Sequence, residues 1–383
     1  MIGALHPVLI QEFTAIDLQS LFQAFDILEK GISVRLLPLG LESQNTMAGP
    51  SPTSAGPLLG LYSSGSTGEP KLFWQPWSQL KSELRLHPAS SGWTWASPFS
   101  PSSFAGVQVA LQAWAGDGQV LSLGSDWVAN WDLLADKKVP ALSCTPTFLD
   151  LILRSPSSAR RWAPSQITLG GEPLRPAAGA RFQKVFSHTR FTVIYASAES
   201  GVLLKTHRLD GWYEVGSLEK RVRAWRIQHG ELHLFKNGSW LSTGDLVERE
   251  EALLRIVGRA DRVANVAGSK INLDEVSRAA EELPGIRVAF AFAEPNPVSG
   301  EIVALRFLPE NGSAVEELQC RLEEYLRQRL PKESWPRRWE IGETDLGPNA
   351  KRAFKRRVAS REAEPVVERP RYLSSGLPRE PLR

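Results

Sequence analysis

A glycine- and hydroxyl-rich segment between two apolar runs constrains this chain more than any other feature. Residues 62–71 read Tyr-Ser-Ser-Gly-Ser-Thr-Gly-Glu-Pro-Lys, with an apolar run at residues 58–61 before them and Leu72-Phe73-Trp74 after them. The apolar runs predict two strands joined by a loop. Glycine lets backbone N–H groups approach anionic oxygens, and the hydroxyls add donors, so the loop is typical of one that holds nucleotide phosphates. A flexible Gly/Ser linker is the alternative.

Two later segments place small or polar residues at the end of an apolar run. Residues 167–174 include paired glycines after the run, which would let a flat ligand lie against bare backbone. The run that ends at Tyr195 is β-branched and aromatic, so it predicts a buried strand, with Glu199 just beyond its end. Open α/β sheets bind ligands at such strand ends, and the second segment therefore predicts a ligand site.

Three segments nearer the C-terminus carry charged residues suited to binding. Asp245 follows a Thr-Gly pair, and a carboxylate can accept two hydroxyl donors at once. Residues 258–276 pass through Gly-Ser-Lys-Ile, where the pattern predicts a turn into a helix with acids near its N-terminus. Residues 346–352 contain Lys351, whose basic surroundings as far as Arg357 also fit a solvated helix face.

Periodicity predicts alternating strands and helices before residue 258 and a compact α+β unit after it. Residues 142–145 are predicted as a strand and residues 147–154 as a helix. In the second region, strands are predicted at 288–292 and 302–308, and an amphipathic helix at 315–330.

In this order, the segments resemble the motifs of the adenylate-forming enzymes, the AMP-binding acyl- and aryl-CoA synthetase superfamily, over residues 57–358. The resemblance implies an α/β fold with a large N-terminal domain of the ANL type over residues 1–258, abbreviated at its N-terminus. A small mobile α+β C-terminal domain would follow over residues 259–360, and a flexible basic tail over residues 361–383. A missing front subdomain would expose apolar surface and favour a homodimer.

The resemblance also implies roles for individual residues. It assigns ATP or AMP binding to Ser63, Ser64, Gly65, Ser66, Thr67, Gly68, Lys71, Gly171, Glu172, Tyr195, Ala196, Asp245 and Arg259. Tyr195 would stack on the adenine, and Asp245 would accept both ribose hydroxyls. Glu199 and Thr67 would hold Mg²⁺, which takes oxygen ligands and keeps several waters. Lys351, or alternatively Lys355, would stabilise the charge that develops at the α-phosphate, so that Lys351, Glu199 and Thr67 form the catalytic set.

Further residues are assigned to the acid, the hinge and the thiol. The resemblance implies an acid pocket at Ser103, Phe104 and Gly170, with Ser103 standing where a His is usual. It places the domain hinge at Asp261, because hinges are few residues that absorb large backbone changes. Gly268 and Lys270 would face the thiol.

The implied activity is that of an ATP-dependent ligase, which adenylates a carboxylic acid and transfers the acyl group to a pantetheine thiol of an acyl carrier protein or coenzyme A. The chain most resembles the short aryl acid–acyl carrier protein ligases of xanthomonadin and aryl-polyene pigment pathways, which implies a hydroxybenzoate-like acid. Seven of thirteen tryptophans lie between Trp74 and Trp131, which suits an aromatic pocket, although Trp is also a frequent core residue.

Two alternatives stay open. A fatty or medium-chain acid with coenzyme A as acceptor is one. The other is a degenerate ATP-binding regulatory subunit, because Ala198 and Ala350 replace a Thr and a Gly that are usual in the family and the front segment is short.

Charge and cysteine content limit which partners and which cellular compartment are expected. The net charge is +3, but Lys351–Arg383 holds ten Lys or Arg against four Glu, so the remainder is near −3. This balance indicates no nucleic-acid partner, and the basic end would suit an acidic carrier protein. Two cysteines form no disulfide framework, and no apolar run is long enough to cross a bilayer, which predicts a cytoplasmic protein.

Overall fold

The computed structural model describes residues 10–14, 17–37, 56–63, 71–123, 127–153, 162–197, 199–236, 238–309 and 315–342. Within these ranges the chain forms four β-sheets with helices packed against them. Several predicted site residues lie outside the described residues, namely Ser64, Gly65, Ser66, Thr67, Gly68, Lys351 and Lys355. The predicted tail over 361–383 also lies outside them.

The first sheet carries the two strands predicted on either side of the phosphate loop. Its elements are β1 (Ile10–Thr14), α1 (Leu21–Glu29), β2 (Ser33–Leu37), β3 (Leu58–Ser63), β4 (Lys71–Pro76) and α2 (Trp77–Ser82). The strands lie in the order β1-β2-β3-β4, and the antiparallel β3 and β4 pair Ser63 with Lys71. The two ends of the loop therefore lie side by side. Leu59 and Leu61 are buried against Phe25 of α1, which explains the apolar run before the loop.

The second sheet is parallel except at one edge. Its elements are β5 (Thr94–Ser97), α3 (Phe104–Ala115), β6 (Gln119–Ser122), α4 (Trp127–Asp136), β7 (Ala141–Cys144), α5 (Pro146–Leu153), β8 (Gln166–Gly170), α6 (Pro176–Val185), β9 (Arg190–Ser197) and β10 (Gly201–Thr206). The strands lie in the order β10-β9-β8-β7-β5-β6, with β10 antiparallel to β9. Parallel pairing sets Gly170 beside Ile194, so β8 and β9 end at the same edge of the sheet. This edge is where ligands of open α/β sheets bind.

The third sheet is antiparallel and carries the Thr-Gly-Asp segment. Its elements are β11 (Trp212–Glu214), α7 (Val215–Glu219), β12 (Trp225–Gln228), β13 (Glu231–Lys236), β14 (Ser239–Glu250) and β15 (Leu253–Arg259). The strand order is β11-β15-β14-β13-β12, and Asp245 on β14 lies opposite Arg259 on β15. Leu254 and Ile256 of β15 join the same apolar core as the second sheet, which holds the two sheets together.

Residues 263–342, called here the C-terminal unit, form the fourth sheet around a core of their own. The elements are β16 (Val263–Val266), β17 (Ser269–Asn272), α8 (Leu273–Glu281), β18 (Ile286–Asn296), β19 (Gly300–Pro309), α9 (Val315–Arg329) and β20 (Arg338–Ile341). The order is β17-β16-β19-β18, with β20 beside β19. The strands and the helix predicted in this region are confirmed.

The segment predicted as a turn into a helix is instead a strand followed by a helix. Gly268 makes the turn at φ +86°, and β17 then pairs with β16 before α8 begins. The Asn272 side chain caps the helix by accepting from the N–H groups of Asp274 and Glu275, at 3.0 and 3.4 Å. The two acids lie in the first turn, as predicted, where the helix dipole favours negative charge.

Two of the clustered tryptophans, Trp77 and Trp131, are buried core residues. Trp77 stacks on Phe25 with ring centroids 5.5 Å apart, and Trp131 packs edge-on against Trp162 at 5.8 Å. Trp95 lines one cavity and Trp77 lines another. The structure thus supports core packing for Trp77 and Trp131 and a place in a cavity wall for Trp95. None of the helices in the described ranges has the length and apolarity needed to cross a membrane.

Candidate functional site

A cavity of about 370 Å³ lies at the carboxyl ends of β8 and β9, and its wall draws on the second, third and fourth sheets. Six of the residues predicted to bind the nucleotide line it, namely Gly171, Glu172, Tyr195, Ala196, Asp245 and Arg259. These residues come from four sequence segments that are far apart. The fold brings them into one crevice, which the motif order alone could only suggest.

Asp245 is held at the centre of this wall by two donors. The Tyr195 hydroxyl donates to Asp245 Oδ2 at 2.5 Å, and Arg259 Nη1 donates to Asp245 Oδ1 at 3.3 Å. Burial raises the pKa of the Asp245 carboxyl, against the opposing effects of the Tyr195 hydrogen bond and the Arg259 charge. Burial, and then the neighbouring Asp245 charge, raise the pKa of Tyr195. Tyr195 is therefore a neutral donor, and the carboxylate keeps lone pairs for further hydroxyls.

Gly244 is required by the close approach of Arg259. Its φ is +70°, and a Cβ added there would lie 2.8 Å from Arg259 Nη2. The same guanidinium donates through Nη1 to the Thr243 carbonyl at 3.1 Å. The Thr-Gly-Asp sequence thus lets the arginine lie flat against the strand that carries Asp245.

Glu172 accepts a hydrogen bond from the backbone at the start of α5. Its Oε1 accepts from the N–H of Thr147, in the first turn of α5, at 2.5 Å. Before it, Gly171 turns the chain at φ +84°, a conformation that side chains rarely adopt. The pair of glycines therefore exposes backbone beside Glu172, as the sequence predicted for a flat ligand.

Glu199 lies beyond β9 and outside the wall of this cavity. Its side chain is exposed, and its carbonyl accepts from Lys236 Nζ at 2.6 Å. Ser197, two residues earlier, does line the cavity. The described residues contain no cluster of three His, Cys, Asp or Glu. One exposed carboxylate beside substrate phosphates nevertheless suits Mg²⁺, which needs few protein ligands, and the magnesium role of Glu199 stays a prediction.

A second cavity, of about 200 Å³, adjoins the first. The two share the wall residues Gly171, Ile194, Ala196 and Ser197. Aromatic and apolar side chains form much of the second wall, namely Trp95, Phe99, Phe104, Val109 and Val202. A ligand in one cavity would therefore touch a ligand in the other across the ends of β8 and β9.

The predicted acid pocket needs one correction. Phe104 and Gly170 line the second cavity, but Ser103 does not. Its hydroxyl donates to the Ser100 carbonyl at 2.7 Å and accepts from the Gly106 N–H at 3.0 Å. Ser103 is thus the N-cap of α3, because a hydroxyl there satisfies a free N–H of the first helical turn.

Charged groups lie at one side of the second cavity. Glu83 and Lys205 line it, and Arg221, which is not in the cavity wall, forms an ion pair with Glu83. Lys205 Nζ lies 3.3 Å from Glu83 Oε2, while Arg221 donates to Glu83 Oε1. Burial opposes ionisation of Glu83, but the Arg221 hydrogen bond and the Lys205 charge together lower the pKa of Glu83. Burial lowers the pKa of Lys205.

The predicted hinge and thiol residues lie outside both cavities. Asp261 accepts from Arg259 Nε at 3.3 Å, directly before the C-terminal unit begins. Gly268 and Lys270 are exposed on the hairpin of β16 and β17. The structure therefore does not bring the thiol-side residues to the nucleotide cavity, and their roles stay predictions.

Helix α8 contributes wall residues that sequence reasoning missed. Asp274, Ser277 and Arg278 line the first cavity. Their spacing of three and four residues is the one that puts side chains on a single helix face, and this signal could have identified them. Burial lowers the pKa of Arg278, and none of the described acids forms an ion pair with it. Arg278 thus offers the cavity a positive charge for an anionic ligand.

Comparison with known proteins gives concordant results. The sequence profile of the family described as "AMP-binding enzyme" matches residues 17–226. A 3,4-dihydroxybenzoate–[aryl-carrier protein] ligase from Bacillus anthracis is 24% identical over 73% of this chain and 68% of its own length. The fatty acid–[acyl-carrier-protein] ligase MmaC from Mycobacterium marinum is 25% identical over 65% of this chain and 57% of its own length.

Solved structures resemble this chain over most of its length. The anthranilate CoA ligase AuaEII, in complex with anthranoyl-AMP, aligns with a TM-score of 0.63 at 16% identity. The alignment covers 92% of this chain and 78% of that one. At this identity the likeness establishes the fold, and it confirms the predicted α/β class of the ANL type.

Proposed function

Because the chain belongs to the AMP-binding enzyme family, we propose that it adenylates a hydroxybenzoate-like aromatic acid and transfers the acyl group to the pantetheine thiol of an acyl carrier protein. The family match and the ligase relatives confirm the interpretation as an adenylate-forming acid–thiol ligase. Enzymes of this class use ATP, Mg²⁺ and a thiol acceptor. The aromatic nature of the acid and the carrier protein as acceptor are what we propose for this chain in particular.

The two adjoining cavities are the observation that carries the substrate assignment. The second cavity measures about 200 Å³, against the roughly 150 Å³ of an apolar protein cavity that binds benzene. A benzoate-sized acid fits this space. The relative from Bacillus anthracis is named for an aromatic acid, which agrees with this size.

In the first half-reaction, the wall residues hold the nucleotide while the acid lies in the second cavity. Asp245 accepts the ribose hydroxyls, Tyr195 packs on the adenine, and Arg259 adds positive charge. A carboxylate oxygen of the acid forms a bond to the α-phosphorus, and the bond from that phosphorus to the pyrophosphate oxygen breaks. Lys351 stabilises the charge that develops. Mg²⁺, held by Glu199 and Thr67, supplies charge neutralisation of the phosphates when bound.

In the second half-reaction, the pantetheine thiol loses its proton and attacks the acyl carbonyl, and AMP leaves. The domain division proposed here, 1–258 and 259–360, allows the C-terminal domain to turn about Asp261. The turn brings Gly268 and Lys270, which are exposed in the present arrangement, to the cavity.

The carrier-protein acceptor has two kinds of support. Both curated relatives described above are named as carrier-protein ligases. The segment Lys351–Arg383 holds ten Lys or Arg against four Glu, which suits an acidic partner surface.

Acid-dependent exchange of pyrophosphate into ATP tests the first half of this function. We expect exchange with hydroxybenzoates and little with octanoate or longer acids. Adding either holo-carrier protein or coenzyme A then reports the acceptor as a thioester. Exchange with fatty acids alone would overturn the aromatic assignment, and thioester formation only on coenzyme A would overturn the carrier assignment. ATP binding without exchange for any acid would favour the regulatory-subunit alternative.

A further inference from the structure

We propose that Gln108 and Glu83 form a recognition site for a hydroxyl group on the ring of the acid. This inference rests on the proposed function and specifies which aromatic acids the second cavity selects. Gln108 and Glu83 both line that cavity, and neither belongs to the motifs that identify the nucleotide site.

Gln108 presents a donor that none of the described residues uses. It lies on α3, and its Nε2 is buried and has no hydrogen-bond partner in the described part of the chain. Gln112, one turn later on the same helix and in the same cavity wall, differs in this respect. Its amide accepts from the Arg85 N–H at 3.4 Å and donates to the Arg85 carbonyl at 3.3 Å. Because a buried donor without a partner is costly, the Gln108 amide is suited to a ligand acceptor.

Glu83 presents an acceptor in the same cavity. Its side chain is only 12% exposed, and Arg221 occupies Oε1. Oε2 is buried and forms an ion pair with Lys205 Nζ at 3.3 Å, but it receives no well-aligned hydrogen bond from the described residues. Arg221 and Lys205 keep Glu83 ionised, so Oε2 can accept a further, better-aligned donor from a ligand.

A hydroxyl is the group that satisfies both atoms, because it accepts and donates at once. Its oxygen would accept from Gln108 Nε2, and its hydrogen would point to Glu83 Oε2. An unsubstituted ring would leave the Gln108 amide without an acceptor and Glu83 Oε2 with the Lys205 ion pair alone. A second carboxylate would place its charge beside that of Glu83, which disfavours it.

The test compares kcat/KM for exchange with benzoate, 3- and 4-hydroxybenzoate, 3-aminobenzoate and isophthalate. We expect the better hydroxybenzoate to exceed benzoate by about 10- to 100-fold, since a site built for a hydroxyl leaves polar groups unpaired without it. Isophthalate should be poor. The aminobenzoate should be intermediate, because an aniline donates to Glu83 but accepts poorly from Gln108.

Gln108→Met, which keeps the side-chain length, should remove most of the hydroxyl preference while activity with benzoate and aminobenzoate persists. Gln108→Leu provides a second variant whose side chain cannot donate. Gln183→Met is the matched control, because Gln183 is exposed on α6 and lines neither cavity, and it should keep the wild-type preference. Melting curves for each variant check that the fold is retained.

The possible outcomes distinguish a failure of this inference from a failure of the proposed function. Equal use of benzoate and hydroxybenzoates by the wild type, a preference for isophthalate, or an unchanged preference in folded Gln108 variants would overturn the inference alone. A wild-type protein that binds ATP but exchanges with none of these acids would overturn the proposed function and the inference with it.

Discussion

Asp245 and Arg259 face each other on the antiparallel strands β14 and β15, and the arginine donates to the aspartate across 3.3 Å. The pair lies in the wall of the larger cavity, where Tyr195 donates to the other carboxylate oxygen. Backbone register therefore sets the position of the carboxylate, and two donors set its orientation. A ligand hydroxyl would meet an acceptor that is already in place.

The first prediction concerns Asp245→Asn. An amide has one acceptor oxygen and cannot accept two ribose hydroxyls as a carboxylate does, so we expect ATP affinity to fall about 10- to 100-fold. Calorimetric titration with ATP measures the change. Glu248→Gln is the matched control, because Glu248 lies on the same strand, is exposed and pairs with Arg255. Wild-type affinity in the Asp245 variant would contradict the ribose-binding role.

The second prediction is a pH dependence of nucleotide binding. Burial raises the pKa of the Asp245 carboxyl above its ordinary value of 3.8. Protonation on the acid side removes the charge that accepts the hydroxyls, so below the raised pKa the Kd for ATP should rise about tenfold per pH unit. Titrations from pH 8 down to the ordinary carboxyl pKa of 3.8 would show the rise. The Asn variant should show a flatter profile over the same range, and identical profiles would contradict the assignment.

The third prediction concerns stability and Glu83. The Arg221 hydrogen bond and the Lys205 charge outweigh burial and hold the folded-state pKa of Glu83 below 4.5. The unfolded chain then binds more protons at acid pH, so this stabilisation is present above pH 4.5 and is lost as pH falls through the folded pKa. We expect Glu83→Gln to lower Tm by roughly 5 °C at neutral pH, with a smaller difference near pH 3.5. A constant difference would argue against the ion pairs.

The fourth prediction distinguishes the two candidate lysines near the C-terminus, which lie outside the described residues. Lys351→Ala should lower acid-dependent exchange by about 100- to 1000-fold, because a charge aimed at the transition state is lost. Lys355→Ala should have a small effect. Thioester formation from a supplied acyl-adenylate should persist in both variants. The reverse pattern would assign the adenylation role to Lys355.

Local patterns allowed much of the fold to be predicted. The apolar runs before and after the phosphate loop form β3 and β4, and the strand predicted before Ala196 forms β9. Alternation and β-branching are properties of neighbouring residues, so a sequence reports them directly. The convergence of Tyr195 and Asp245 was inferred from motif order, and the structure places them in hydrogen-bond contact.

The unpredicted features depend on three-dimensional context. Ser103 caps a helix because Gly106 lies one turn later, although its position in the motif suggested the acid pocket. Gln108 and Glu83 meet in one cavity from separate elements, and no local pattern connects them. Helical spacing could have grouped Arg278 with Asp274 and Ser277 on one face of α8, but only the three-dimensional packing shows that this face lines the first cavity.

The wall of the nucleotide cavity is built from both parts of the chain. Arg278 belongs to the C-terminal unit, whereas Asp245 and Tyr195 belong to the sheets before it. If that unit rotates as proposed, it carries this cation away from the rest of the cavity wall. The motion proposed to admit the thiol would then also weaken the binding of AMP, so that departure of this product would be coupled to the exchange of half-reactions.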